Sequence, residues 1–209
     1  MQGLYLVTPN WDDTARLLDL SEQALAAASR VAMLQYRHKD AGPALREEQA
    51  GALLALCRRY GVPFIINDYV ELCERVGADG IHLGGTDAEV ALVRAQLGPD
   101  KIIGASCYGD MPRALSAQLA GASYVAFGGF YPSRVKKYAV TTRVEILDQA
   151  RESIRVPTVV IGGMTPENAA PLVSRGANMV AAISSVYQAE SVAHAVGRFG
   201  ALFTEQENV

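Results

Sequence analysis

Eight short, nearly continuous apolar runs alternate along this chain with longer segments whose apolar residues recur every three or four positions. The first pattern is that of strands covered on both faces, the second that of helices packed over them. Their alternation confines the chain to a parallel α/β architecture. The strand runs are Gly3–Thr8, Val31–Arg37, Pro63–Ile66, Asp79–Leu83, Lys101–Ala105, Ser123–Phe127, Pro157–Ile161 and Met179–Ile183. Predicted helices include Ala44–Tyr60, Asp87–Leu97, Met111–Ala120, Arg143–Glu152, Pro166–Arg175 and Ser191–Phe203. Thr86-Asp87 and Thr165-Pro166 supply helix start signals. Three similar segments, Val76-Gly77-Ala78-Asp79, Ala120-Gly121-Ala122-Ser123 and Arg175-Gly176-Ala177-Asn178, put glycine where a helix ends before a strand.

Length then separates the two parallel architectures. The chain has 209 residues, half of them hydrophobic and 20% charged, with no linker or low-complexity stretch to divide it. A single (β/α)8 TIM barrel over residues 1–209 is therefore favoured over an open doubly wound sheet. In such a barrel the chemistry sits on strand ends and loops at the C-terminal mouth, and that placement filters the polar residues.

The net charge of −3 and pI near 5.6 argue against a general nucleic-acid or anionic-membrane surface, so any anion site must be local. Cys57, Cys73 and Cys107 are odd in number and lack CxxC spacing, and Met1-Gln2-Gly3 runs into a strand rather than a signal peptide. The expected compartment is a reducing cytoplasm. No apolar run reaches the roughly 18 residues of a membrane-spanning helix.

Four clusters pass the mouth filter. Gln35, Arg37 and Lys39 stand two residues apart at the end of the second strand, where an extended chain puts all three on one face and Tyr36 and His38 on the other. Two cations and an amide suit a polyanion such as diphosphate, although a solvated charged turn has the same composition. Asn67-Asp68 and Gly84-Gly85-Thr86-Asp87 end the next two strands, so two neighbouring strand ends each offer a carboxylate. Asp68 and Asp87 suit one Mg²⁺, or each caps a helix. His82 reads as a packed, hydrogen-bonded barrel histidine rather than a ligand.

The segment Phe127–Tyr138, rich in glycine and basic residues, has the make-up of a closing loop or of a merely exposed one. Ile161-Gly162-Gly163-Met164-Thr165-Pro166 and Ile183-Ser184-Ser185 follow the last two strands, where barrels commonly hold a phosphate on backbone N–H groups. Ser106 and Tyr108 add hydroxyls at the same mouth, Ser106 being equally suited to cap a helix. Cys107 has no accompanying histidine and carboxylate, so it is not a thiol nucleophile.

Together these segments resemble the thiamine phosphate synthase family, from Gly3-Leu4-Tyr5 to Ile183-Ser184-Ser185. The family's Q-x-R-x-K reads Gln35, Arg37, Lys39, its I-N-D reads Ile66-Asn67-Asp68, and its H-L-G-x-x-D reads His82-Leu83-Gly84 with Asp87. Its strand-five serine reads Ser106, its F-P-[ST]-x-T-K loop reads Tyr131-Pro132-Ser133-Arg134-Val135-Lys136, and its I-G-G and V-S turns read Ile161-Gly162-Gly163 and Ile183-Ser184.

The resemblance implies a (β/α)8 transferase joining 4-amino-5-hydroxymethyl-2-methylpyrimidine diphosphate to 4-methyl-5-(2-phosphoethyl)thiazole, with release of diphosphate. It implies that Gln35, Arg37, Lys39, Asn67 and Lys136 hold the pyrimidine diphosphate, that Ser106 contacts the pyrimidine, and that Asp68 and Asp87 hold Mg²⁺. Ser133, Gly163, Ile183 and Ser184 are implied at the thiazole phosphate, with Arg134 and Val135 in the same loop. Arg37, Lys39, Ser106 and Lys136 are the residues implied to act in catalysis. The expected partners are the two small molecules, with neither nucleic acid nor membrane, and with room for a homo-oligomer.

The chain departs from the family pattern at His38, where an aspartate is usual, at Val135, where the loop threonine is missing, at Lys137-Tyr138 and at Gly85-Thr86. Two other readings share these features in part: a thiazole tautomerase-type barrel, which needs no Mg²⁺ pair, and a non-catalytic phosphate-ligand binding domain.

Overall fold

The computed structural model describes residues 1–27, 30–84, 87–132 and 142–204. Strands β1 (Gly3–Val7), β2 (Val31–Tyr36), β3 (Phe64–Asn67), β4 (Gly80–Leu83), β5 (Ile102–Tyr108), β6 (Tyr124–Gly128), β7 (Thr158–Ile161) and β8 (Met179–Ala182) pair in sequence order. Every pairing is parallel, and β8 closes on β1. The helices among the described residues are α1 (Thr14–Ala26), α2 (Pro43–Tyr60), α3 (Val70–Val76), α4 (Asp87–Leu97), α5 (Met111–Leu119), α6 (Ile146–Ser153), α7 (Pro166–Ser174), α8 (Ser184–Tyr187) and α9 (Val192–Ala201). This is a (β/α)8 TIM barrel.

Strand alternation divides the core in two. Leu4, Leu6, Leu34, Tyr36, Ile66 and Ile81 point outward into a layer shared with the helices, alongside Leu17, Leu53, Leu172 and Phe199. Tyr5, Val7, Met33, Ile65, Tyr124, Ala126, Val159, Met179 and Ala181 form a second cluster drawn only from strands, which fills the barrel. Inward and outward positions differ by one residue, so the sequence parity of each strand decides which polar residues can reach the mouth from inside.

Local chemistry explains the helix ends. Asp110 caps α5 by accepting from Arg113 N at 2.9 Å. Thr165 and Asn168 form a reciprocal capping box at α7, with Pro166 in the first turn. The three repeated glycine turns share one backbone solution: Gly77, Gly121 and Gly176 have φ of 72°, 95° and 104°, which side chains with a Cβ rarely adopt.

Most boundaries fall within one or two residues of those read in the sequence, and two differ by three. β5 continues to Tyr108, past the expected end at Ala105, and carries a register shift against β6 between Ser106 and Tyr108. Ser106 is therefore a strand residue and not a helix cap, a role that Asp110 fills. The sixth helix begins at Ile146 rather than Arg143.

Candidate active site at the C-terminal mouth

All eight strands run the same way, so their C-terminal ends meet at one mouth. Below it, inward side chains of five strands form a file of polar atoms. Gln35 Nε2 donates to Tyr5 Oη at 2.6 Å, and Tyr5 Oη lies 2.6 Å from Tyr124 Oη. Tyr124 Oη lies 2.9 Å from His82 Nδ1, and His82 Nε2 lies 2.8 Å from Ser106 Oγ. Gly104 makes this possible, since a Cβ there would stand 1.9 Å from Tyr124 Cζ. Burial pushes the phenol pKa values of Tyr5 and Tyr124 well above the ordinary range, so both keep their protons at neutral pH.

Around the rim, β2 ends at Tyr36 and the next three residues diverge. Arg37 turns toward the β1 loop, its Nη1 donating to Asn10 Oδ1 at 3.4 Å and its backbone N–H to Thr8 Oγ1 at 2.8 Å. Lys39 turns toward β3, where its Nζ lies 3.6 Å from Asp68 Oδ2. The spacing therefore brings Gln35, Arg37 and Lys39 to one mouth, but only Gln35 is held by the strand, buried inside the barrel. His38 points elsewhere: it is buried, its Nδ1 accepts from Ala41 N at 3.1 Å, and its Nε2 accordingly donates to Asp12 Oδ1 at 2.8 Å.

Asn67 closes β3 and donates from Nδ2 to Asp68 Oδ2 at 2.7 Å. Asp68 holds φ of +65°, and its N–H bonds His82 O at 2.9 Å across to β4. Its carboxylate caps nothing, because Tyr69 is the N-cap of α3 and makes no side-chain cap bond. With its side chain 40% exposed beside the mouth, Asp68 is free of the bland role the sequence allowed it. Asp87 opens α4 directly after β4, next to β3 in the barrel, and its side chain lies outside the described residues.

On the opposite side of the mouth stand the turns after β7 and β8. Gly163 has φ of +64°, and a Cβ on it would meet Pro132 O at 2.2 Å, so the turn after β7 and the segment after β6 touch backbone to backbone. Asn168 Nδ2 bonds Gly163 O at 2.9 Å, which locks the turn onto the start of α7. Ile183 is the N-cap of α8 and Ser184 its first residue, adjacent because β7 and β8 are paired. Ser133, Arg134, Val135, Lys136, Lys137 and Tyr138 lie outside the described residues.

The sequence profile described as "Thiamine monophosphate synthase" matches residues 4–186. A "Thiamine-phosphate synthase" of Janthinobacterium sp. (strain Marseille) is 60% identical over 205 residues, covering 98% of both chains.

The chain belongs to the thiamine monophosphate synthase family.

A thiamine-phosphate synthase of Thiobacillus denitrificans is 47% identical over 204 residues, covering 98% of this chain and 96% of that one. The solved "Thiamine phosphate pyrophosphorylase from Pyrococcus furiosus" superposes with a TM-score of 0.80 at 29% identity, over 98% of this chain and 96% of that chain. Thiamine-phosphate synthase activity, and with it the transferase class, follows from membership of this family.

Sequence reasoning missed some residues that the structure places at the mouth or directly beneath it. Tyr5 and Tyr124 were not singled out as site residues. Their signal was parity: each sits in phase with an inward position, and Gly104 stands on the strand beside Tyr124. Asn10 was not singled out either, yet it bonds Arg37 and donates from Nδ2 to Asp40 Oδ2 at 2.8 Å. No local pattern marks it, because both contacts cross from one loop to another.

Proposed function

We propose that this chain condenses 4-amino-5-hydroxymethyl-2-methylpyrimidine diphosphate with 4-methyl-5-(2-phosphoethyl)thiazole, forming thiamine phosphate and diphosphate within one barrel domain. The observation that carries this reading is the opposed arrangement of the mouth. One side, at the ends of β2 and β3, presents Gln35, Arg37, Lys39, Asn67 and Asp68, and the other presents the turns of Gly163 and Ile183-Ser184. A diphosphate and a monophosphate thus have separate seats, with Ser106 between them on β5.

In this reading Arg37, Lys39, Asn67 and Lys136 bind the diphosphate, and Gln35 and Ser106 face the pyrimidine. The thiazole phosphate lies against Gly163, Ile183 and Ser184 together with Ser133, Arg134 and Val135 of the following loop. The donor set suits Mg²⁺: Asp68 offers a hard oxygen ligand unoccupied by capping, and Asp87 opens the neighbouring strand's helix. When bound, the cation supplies positive charge to the leaving diphosphate.

Catalysis then needs little covalent chemistry from the protein. The pyrimidine methylene carbon loses diphosphate while its aminopyrimidine ring delocalises the positive charge, and the thiazole nitrogen forms the new C–N bond. Arg37 and Lys39 neutralise the leaving group, and the two seats align nitrogen and carbon. No protein nucleophile takes part.

The test is a product assay with both substrates and Mg²⁺, and with each omitted in turn. Thiamine phosphate and diphosphate should form in equal amounts only in the complete mixture. Rearrangement of the thiazole phosphate without the pyrimidine would favour the tautomerase-type reading, and saturable binding without turnover would favour a ligand-binding domain.

A further inference from the structure

The polar file inside the barrel has a direction. An amide NH2 only donates, so the hydrogen bond from Gln35 Nε2 arrives on the Tyr5 oxygen, and Tyr5 turns its own hydrogen to Tyr124 2.6 Å away. Tyr124, having accepted, turns its hydrogen to His82 Nδ1 at 2.9 Å. An imidazole that accepts at Nδ1 carries its proton at Nε2, and that proton points at Ser106 Oγ, 2.8 Å away. The opposite sense would bring two hydrogens onto the Tyr5 oxygen. The Tyr5 proton would then have no acceptor among the described residues, in a position only 1% exposed. Burial raises both phenol pKa values, so neither tyrosine gives up the proton that the sequence of bonds requires.

We propose that Tyr5, Tyr124 and His82 are positioning residues that hold Ser106 as a hydrogen donor toward the mouth, where it selects an acceptor atom of the heteroaromatic substrate. Ser106 Oγ accepts from His82, so its own hydrogen is the one left for a ligand. It is half-buried on β5, in phase with the inward-facing Gly104 and just before the register shift. The partner such a hydroxyl fits is the lone pair of a ring nitrogen, which links the barrel core to recognition of the pyrimidine. This rests on the reading that Ser106 contacts that substrate.

The three rings are also held without the hydroxyls. Tyr5 and Tyr124 meet edge to face at 5.7 Å, and His82 stacks on Tyr124 at 5.7 Å with an interplanar angle of 18°. Tyr124→Phe therefore keeps the ring packing and breaks the relay at its middle, leaving the Tyr5 hydroxyl and His82 Nδ1 without that partner.

Two measurements test the proposal. Long-range ¹H–¹⁵N correlation spectra of the ligand-free protein, with the His82 signals assigned by their loss in His82→Gln, should show the Nε2–H tautomer, and Tyr124→Phe should convert it to a mixture. A Nδ1–H tautomer in the parent overturns the direction. Kinetically, Tyr124→Phe should lower kcat about tenfold with the KM for thiazole phosphate unmoved, as expected for one misdirected hydrogen bond. In a Ser106→Ala background the same change should cost less than about twofold, because two residues that act through one contact are not additive. Equal losses in both backgrounds overturn the proposal. His82→Gln, whose amide can still donate to Ser106, should retain several-fold more kcat than His82→Leu, and equal loss in the two overturns it as well. A silent Ser106→Ala would refute the substrate contact itself, and absence of any condensation by the parent would refute the reading of function. In either case the tautomer spectrum still decides whether the relay exists.

Discussion

Replacing Gly104 by alanine perturbs the barrel interior at its most crowded point. The added Cβ would stand 1.9, 2.2 and 2.4 Å from Cζ, Oη and Cε2 of Tyr124. Real carbon contacts in proteins lie near 3.5–4.0 Å, so the ring must move by well over an ångström. It has nowhere to go, being fully buried between Tyr5 and the stacked His82 ring. Overpacking of this kind costs about 1–3 kcal/mol. Displacing Tyr124 Oη also breaks its bonds to Tyr5 and His82, and leaving buried partners unsatisfied adds roughly 1–3 kcal/mol. The expected loss is thus about 2–6 kcal/mol, which for a chain of this size lowers Tm by roughly 4–24 °C. Calorimetric melting supplies the first reading, and urea unfolding with an unchanged slope confirms that stability and not the unfolded state has altered. In a Tyr124→Leu background, where the ring is gone, Gly104→Ala should cost less than about 1 kcal/mol. A Tm within about 2 °C of the parent for Gly104→Ala alone would refute the argument that this glycine exists to admit the ring.

Asp68→Asn should leave Tm nearly unchanged, because asparagine also tolerates the φ of +65°, yet lower turnover at least about 100-fold at saturating substrates and Mg²⁺. Unchanged turnover removes Asp68 from the metal site. Arg37→Ala should weaken pyrimidine diphosphate binding in titration calorimetry by at least about tenfold, whereas His38→Ala, which faces Asp12 and Ala41 N, should stay within about threefold. If His38→Ala costs as much as Arg37→Ala, the loop after β2 is misassigned. Alkaline pH should destabilise the fold. Burial raises the thiols of Cys57 and Cys73 from 9.0 to about 12 and about 11. Below pH 9 both states keep these protons. Above it the unfolded chain loses them first, so stability falls as pH rises toward 11 and 12. The buried phenols of Tyr5, Tyr124 and Tyr187 act in the same direction above pH 10. Urea midpoints that hold constant from pH 8 to 10.5 would contradict this.

The alternation of apolar periods by itself determined the order and type of the elements, because strands buried on both faces and helices buried on one leave different repeats in the chain. All eight expected strands are present, and α4 begins and ends at the residues its pattern marked. Turn chemistry is equally local, so the reused glycine turns and the Thr165-Pro166 helix start were legible. The strand-end motifs were legible for the same reason: parallel strands of a closed barrel deliver Gln35, Asn67 and Ser106 to one mouth whatever the details of packing. What the chain alone left open was every choice between a ligand-facing and a structural role. Ser106 and Asp68 each had the composition of a helix cap. Only the extension of β5 to Tyr108 and the capping of α3 from Tyr69 settled that they are not. The relay from Gln35 to Ser106 was equally hidden, since its residues lie up to 119 positions apart in adjacent contacts. Hydrogen bonds across a barrel depend on register between strands, and register is set by closure and by the space Gly104 leaves, quantities that exist only once the tertiary structure has formed.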